Sequence, residues 1–136
     1  MKPSILFVCR HNACRSQIAE AIGHKLAPGD WVIDSAGSHP TTQVDPKAVS
    51  ILRAHGLGMR RRKPQGFSAL ALKEWDFVVD ISCEESGKGM KPKNYVEWDL
   101  ADPLDGPMDL YKHLFDELSD RIRDLFRGIQ KVAEAA

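Results

Sequence analysis

Apolar and polar positions fall along this chain in short blocks whose period changes from block to block. Ser4 to Val8 is a near-continuous apolar run of strand length, the pattern of a strand buried on both faces. From Gln17 to Leu26, Ile18, Ala21, Ile22 and Leu26 fall three or four apart, on one side of a helix. Asp30 to Ser35 reads as a second strand. Asp45-Pro46 has the order of a capping residue and a helix-opening proline, and that helix runs through Leu52 to a stop near Gly56. A short helix is expected around Ala69 to Trp75, then a third strand over Phe77 to Ile81, just before Cys83, and a fourth over Tyr95 to Trp98. From Asp109 the chain reads as one long helix. Leu110, Leu114, Leu118, Ile122, Leu125, Ile129 and Val132 recur every three or four residues, while Asp116, Glu117, Asp120, Arg123 and Arg127 fill the other face.

Strands alternating with helices predict an α/β fold, a parallel sheet with helices on both faces. At 136 residues the chain has the length of one domain, expected over residues 1–136, with the longer loops at 36–44, 58–65 and 86–94. The composition is 43% hydrophobic and 28% charged, with 19 basic residues against 19 acidic, and nothing in it advertises nucleic acid or membrane. Ile5 to Val8 is too short for a signal-peptide core or a membrane span, so a cytoplasmic protein is expected. Three cysteines, an odd number, argue against a disulfide framework there. Cys9 and Cys14 lack zinc-knuckle spacing, Cys83 stands alone and no His pair has ligand spacing, so no metal site is expected. The "RRRK" run from Arg60 to Lys63 reads as a loop of solvated charge.

The chemistry concentrates between the first strand and the first helix. In open parallel sheets ligands bind at the carboxyl ends of strands, where a loop enters a helix N-terminus. The unpaired N–H groups and positive dipole end of such a terminus favour an anion and stabilise a thiolate. Cys9 sits there, and Arg15, five residues further on, offers a fork of donors suited to two oxygens of a tetrahedral oxyanion. The intervening Arg10, His11, Asn12, Ala13 and Cys14 can curl into a cradle of N–H groups beneath which the sulfur lies, and Ser16 can hydrogen-bond the thiolate or cap the helix. No Gly-Lys-Ser/Thr follows and the loop has no glycine, which excludes a Walker-type loop and a dinucleotide fingerprint.

Cys9, five residues, Arg15, Ser16 resembles the signature shared by the low-molecular-weight protein tyrosine phosphatases and the arsenate reductases built on the same scaffold. The resemblance extends through "SQIAEA" after Arg15, "DSAGS" at Asp34 to Ser38 and "DP" at Asp102-Pro103. It implies a three-layer, flavodoxin-like fold with a four-stranded sheet in the order 2-1-3-4. It also implies Cys9 as nucleophile, Arg15 and the loop amides as oxyanion clamp, Asp102 as catalytic acid, Asn12 as the residue that shapes the loop and Ser35 as its brace. Glu20 resembles a residue that, with Asn12 and Ser35, helps hold a potassium ion in some of the reductases.

Within the resemblance, three features favour an arsenate reductase over a tyrosine phosphatase. Leu104-Asp105-Gly106 follows Asp-Pro where the phosphatases usually carry tyrosine walls. "DPLDGPMDLYKHLFDELSDRI" looks like the reductases' Asp-Pro, Gly and long helix. Cys83, just past the third strand, matches their second redox cysteine. The match departs at Met90 and Glu85, where thioredoxin-coupled and cyanobacterial-like reductases respectively carry a further cysteine. Cys14 either fills the loop or pairs reversibly with Cys9. The expected reductant is an external thiol, whether thioredoxin, glutaredoxin or a small thiol, and a monomer is expected. A third reading is a non-catalytic oxyanion sensor, against which the complete set Cys9, Arg15 and Asp102 counts.

Overall fold

The computed structural model describes residues 2–59, 63–82 and 84–135. Cys83, and Arg60 to Arg62 of the basic run, lie outside the described residues. The elements are β1 (Ser4–Cys9), α1 (Arg15–Leu26), β2 (Val32–Gly37), α2 (Pro46–Ala54), β3 (Trp75–Asp80), β4 (Pro92–Glu97) and α3 (Met108–Ala135), with single 3-10 turns at Phe67–Ala69 and Ser86–Met90. All four strands are parallel and lie in the order β2-β1-β3-β4. β1 is therefore interior, which is why all six of its residues are apolar or small and all are buried. In register, Phe7 stands between Ser35 and Val79.

The sheet faces are covered unequally. Ile5, Phe7 and Cys9 pack with Ile18 and Ile22 of α1, Ile51 and Leu52 of α2, and Leu118 and Ile122 of α3 in one continuous cluster. Leu6 and Val8 point the other way, into a smaller cluster with Leu70, Trp75, Val78 and Met90 beneath the 3-10 turns. Asp45 caps α2 as expected, its side chain accepting from the Lys47 N–H at 2.9 Å, with Pro46 at the first helical position.

One expectation fails for an identifiable reason, and another holds only in part. The segment from Ala69 to Trp75 is not a helix. Leu70 and Trp75 are 3% and 2% exposed, both against the same sheet face. Five positions apart on a helix they would point about 140° away from each other, so burying both requires an extended path. On α3, Leu110 is 48% and Val132 72% exposed, while Tyr111, Phe115 and Phe126 are buried. Leu114, Leu118 and Ile122 are buried as the pattern expects, with Leu125 and Ile129 packed against the same core, so the stripe holds along the middle of the helix and gives way only at its two ends. Strand ends also shift by a few residues, most at β4, which begins at Pro92 instead of Tyr95. Among the described residues no helix is long and apolar enough to cross a membrane.

Candidate active site

β1 ends at Cys9 and α1 begins at Arg15, so the five residues between them form a tight turn at the carboxyl edge of the sheet. The carbonyls of this turn face outward. Arg10 O accepts from His39 N at 2.7 Å, His11 O from Thr41 N at 3.2 Å, Ala13 O from Asp45 N at 2.9 Å, and Asn12 O from Gln17 Nε2 at 3.1 Å. A trans peptide holds its N–H opposite its carbonyl, so carbonyls drawn outward turn the N–H groups of the following residues inward. The turn thus has the shape of an N–H cradle. Its wall is the end of β2, which approaches closely: a Cβ on Gly37 would lie 2.6 Å from Arg10 O and 2.8 Å from Asn12 N. Gly37→Ala should push the turn out of shape and lower turnover at least tenfold, with a smaller effect on the melting temperature. Steady-state rates beside a thermal melt check this, and a fully active Gly37→Ala protein would show that the wall does not shape the turn.

Cys9 is 2% exposed, and its sulfur meets the Ser16 hydroxyl at 3.0 Å and receives the Asn12 N–H at 3.3 Å. Ser16 thus takes the first of its two expected roles, since no side chain caps α1. Asn12 adopts a left-handed φ of 53°, a conformation asparagine tolerates better than most residues. Its Nδ2 donates to Ser16 Oγ at 2.7 Å and to Ser35 Oγ at 3.0 Å, so the bracing by Ser35 is present. Its Oδ1 accepts from the Gln65 N–H at 2.9 Å. Gln65 was not singled out by sequence. It lies 53 residues from Asn12, and no local pattern links the two.

The side chain of Arg15 is anchored before any ligand arrives. Its Nη1 donates to Ile81 O at 3.2 Å and Leu100 O at 3.1 Å, and its Nη2 lies 3.7 Å from Asp102 Oδ2. Asp102 Oδ1 accepts from Leu104 N at 3.1 Å, which fixes the carboxyl at the rim. Cys9, His11, Ala13, Cys14, Arg15, Asp45, Asp102 and Leu104 line one small pocket. No Phe, Tyr or Trp is among them. Asp45 joins the pocket in addition to capping α2, and the Tyr111 hydroxyl donates to its carboxylate from α3. The sequence shows the cap and gives no sign of the pocket role. Arg10 points away from the pocket, its guanidinium paired with Glu84.

Burial pushes the Cys14 thiol well above its ordinary range, and Asp45, Asp102 and Cys9 add to the shift against Arg15. Cys14 therefore stays protonated at neutral pH, a poor attacking thiol. Met90, where a third cysteine would stand, is buried beneath the sheet.

The residues around Glu20 do not fit a potassium ion. Ser35 Oγ donates to Glu20 Oε1 at 2.6 Å and itself accepts from Asn12, and Asn12 Oδ1 and Ser35 O accept from the main-chain and side-chain N–H groups of Gln65, at 2.9 and 2.7 Å. N–H and O–H donors already meet the oxygens that a cation would collect. Replacing potassium by sodium should leave both melting temperature and turnover unchanged, and a rise of several degrees in potassium alone would overturn this reading. Among the described residues no group of three His, Cys, Asp or Glu is placed to hold a metal ion.

Residues 4–135 match the family model of the low molecular weight phosphotyrosine protein phosphatases. The chain is 27% identical over 129 residues to an arsenate reductase of Staphylococcus aureus, covering 90% of this chain and 95% of that protein. Among solved structures it is similar to an arsenate reductase from Archaeoglobus fulgidus, at 30% identity and a TM-score of 0.77, covering 90% of this chain and 98% of the other. It is also similar to a thioredoxin-dependent arsenate reductase from Corynebacterium glutamicum, with the same identity and TM-score, covering 96% of this chain and 63% of that one.

Proposed function

Since the chain belongs to the low molecular weight phosphotyrosine protein phosphatase family, we propose that it is an arsenate reductase on that family's scaffold, working as a cytoplasmic monomer. The observation that carries this reading is the pocket itself: nucleophile, guanidinium and carboxyl converge on one small space, with no Phe, Tyr or Trp lining it to hold a phosphotyrosine ring. The arsenate reductases among its relatives support it.

The Cys9 sulfur attacks arsenic while the inward N–H groups and Arg15 stabilise the negative oxygens, and Asp102 gives a proton to the departing oxygen, which leaves as water. A second thiol then attacks the Cys9 sulfur. The S–As bond breaks with its electron pair passing to arsenic, a disulfide forms, and As(V) leaves as arsenite. A phosphatase shares the first half and ends it with water, so the family scaffold also accommodates that reading. Cys83 is the second thiol proposed here, because the buried, protonated Cys14 is unsuited to the attack. The disulfide is then reduced by an outside thiol, and the thioredoxin dependence of the Corynebacterium relative supports a protein donor.

The test is arsenite release from arsenate with thioredoxin, glutaredoxin and glutathione supplied separately, beside phosphate release from an aryl phosphate. Arsenite production with at least one donor is expected. Phosphotyrosine-peptide hydrolysis with kcat/KM above roughly 10⁴ M⁻¹s⁻¹ and no arsenite would reverse the assignment to a phosphatase. Oxyanion binding without turnover of either substrate would leave a sensor.

A further inference from the structure

A buried carboxylate is an unexpected lining for a pocket that collects anions. Asp45 lines the same small pocket as Cys9, Arg15 and Asp102, and it is only 8% exposed. Three elements hold it there. Its main-chain N–H donates to Ala13 O at 2.9 Å, which ties it to the catalytic turn. Its Oδ1 accepts from Lys47 N at 2.9 Å in the first turn of α2, and its Oδ2 accepts from the Tyr111 hydroxyl on α3. Both oxygens accept, as those of an ionised carboxylate do.

The donors that Asp45 holds, a main-chain N–H and a phenol, bring no positive charge. Lys47, two residues on, sends its Nζ to Gly106 O at 2.6 Å. Asp102 differs on this point, since it lies 3.7 Å from Arg15 Nη2 and its side chain is 31% exposed. The charge of Asp45 therefore faces the pocket where water can do little to screen it. Capping α2 does not call for that charge, because asparagine or serine caps a helix about as well. Each carboxylate oxygen also has a lone pair left after its one donor. A ligand that brings a proton to this wall is bound by it, and a ligand without one is repelled.

We infer that Asp45 is a specificity-determining residue, selecting the tetrahedral oxyanions that carry a proton, arsenate and phosphate, over fully ionised sulfate. This rests on the reading of the pocket as an oxyanion site. Near neutral pH arsenate and phosphate keep at least one hydroxyl, whereas sulfate has none. Arg15 and the inward N–H groups meet the negative oxygens of all three alike. At Asp45 the hydroxyl of arsenate or phosphate donates to the carboxylate in a charge-assisted hydrogen bond, while sulfate sets an oxygen against it. The penalty exceeds a lost contact, because a buried acceptor is left unpaired and charge faces charge. An enzyme acting on arsenate thereby escapes occupation by an anion of the same shape that it does not turn over.

Calorimetric titration with phosphate and with sulfate tests this at a mildly alkaline pH, where phosphate is the singly protonated dianion and the two anions carry equal charge. Sulfate oxygens are also weaker acceptors, so the readout is the change in the affinity ratio on substitution. Asp45→Asn keeps a capping oxygen and loses the charge. It should shrink the preference for phosphate about tenfold or more, mainly through tighter sulfate binding. Asp45→Ser, which also caps and has no carboxylate, should do the same. Distortion of the turn would weaken both anions together, and mere removal of a negative charge would strengthen both together, so neither moves the ratio. Asp102→Asn is the control for the second effect and should leave the ratio nearly unchanged. An unchanged ratio in both Asp45 variants overturns the inference, as does a ratio that moves with Asp102→Asn instead. The titration needs no turnover. A preference that depends on Asp45, in a protein that releases no arsenite with any donor, overturns the reductase reading and leaves the role of Asp45 standing, whereas failure of the wild type to bind either anion overturns both.

Discussion

Cys9→Ser is expected to lose turnover by roughly a thousandfold or more while still binding arsenate, phosphate or sulfate. A serine hydroxyl at this position stays protonated and attacks arsenic poorly. The binding surface does not depend on the sulfur. It is set by the outward carbonyls of Arg10, His11, Asn12 and Ala13, which are held by partners on other elements or on α1. The new hydroxyl can keep the contacts with Ser16 and Asn12, so the melting temperature should change by no more than a few degrees. Calorimetric titration of the oxyanion, beside the activity assay, separates the two effects. A Cys9→Ser protein retaining more than a few per cent of activity would falsify Cys9 as the nucleophile, and one that loses oxyanion affinity equally would mean the sulfur shapes the site.

Asp102→Asn is expected to slow turnover by about a hundredfold or more, the size of a general-acid contribution. The substitution is nearly isosteric. The Asn oxygen can still accept from Leu104 N, so the rim keeps its shape, but the group loses both its transferable proton and its attraction to Arg15 at 3.7 Å. Oxyanion affinity should hold or improve slightly, because a negative charge leaves the pocket. Asp99→Asn and Asp105→Asn are the controls. Asp105 sits at a positive φ of 62°, which asparagine also adopts, so its replacement carries no backbone penalty. If either control slows the reaction as much as Asp102→Asn, the acid has been misassigned.

What the sequence alone determined is local. A run of apolar residues, a cysteine, five residues, an arginine and a helical period sufficed to locate the turn from Cys9 to Arg15, because a strand end and a helix start bring those groups together locally. The cap at Asp45 and Pro46 was legible for the same reason. The 2-1-3-4 sheet order came from the family resemblance and agrees with the structure. Where the period was ambiguous the reading slipped. The stretch from Ala69 to Trp75 has good helix formers, but the need to bury Leu70 and Trp75 against one face outweighs a propensity worth only tenths of a kcal/mol per residue. On α3 the expected stripe kept Leu114, Leu118 and Ile122 and was widened by Tyr111, Phe115 and Phe126, because a helix packed on a core buries more than one row of positions.

Only the tertiary structure decided what surrounds the turn. It brought Gln65 to Asn12, the main chain of Gly37 to the backs of Arg10 and Asn12, Ile81 and Leu100 to Arg15, Asp45 into the pocket, and Glu84 to Arg10. Each of these joins residues on different elements, and the distance between them is fixed by how the β2, β3 and β4 ends line up along one sheet edge. Residues in that position share no period or spacing, so nothing in the order of amino acids marks them as neighbours. Their contacts exist because burying Ile5, Phe7 and Val79 against the helices leaves the strands one register, and that register sets which loops meet.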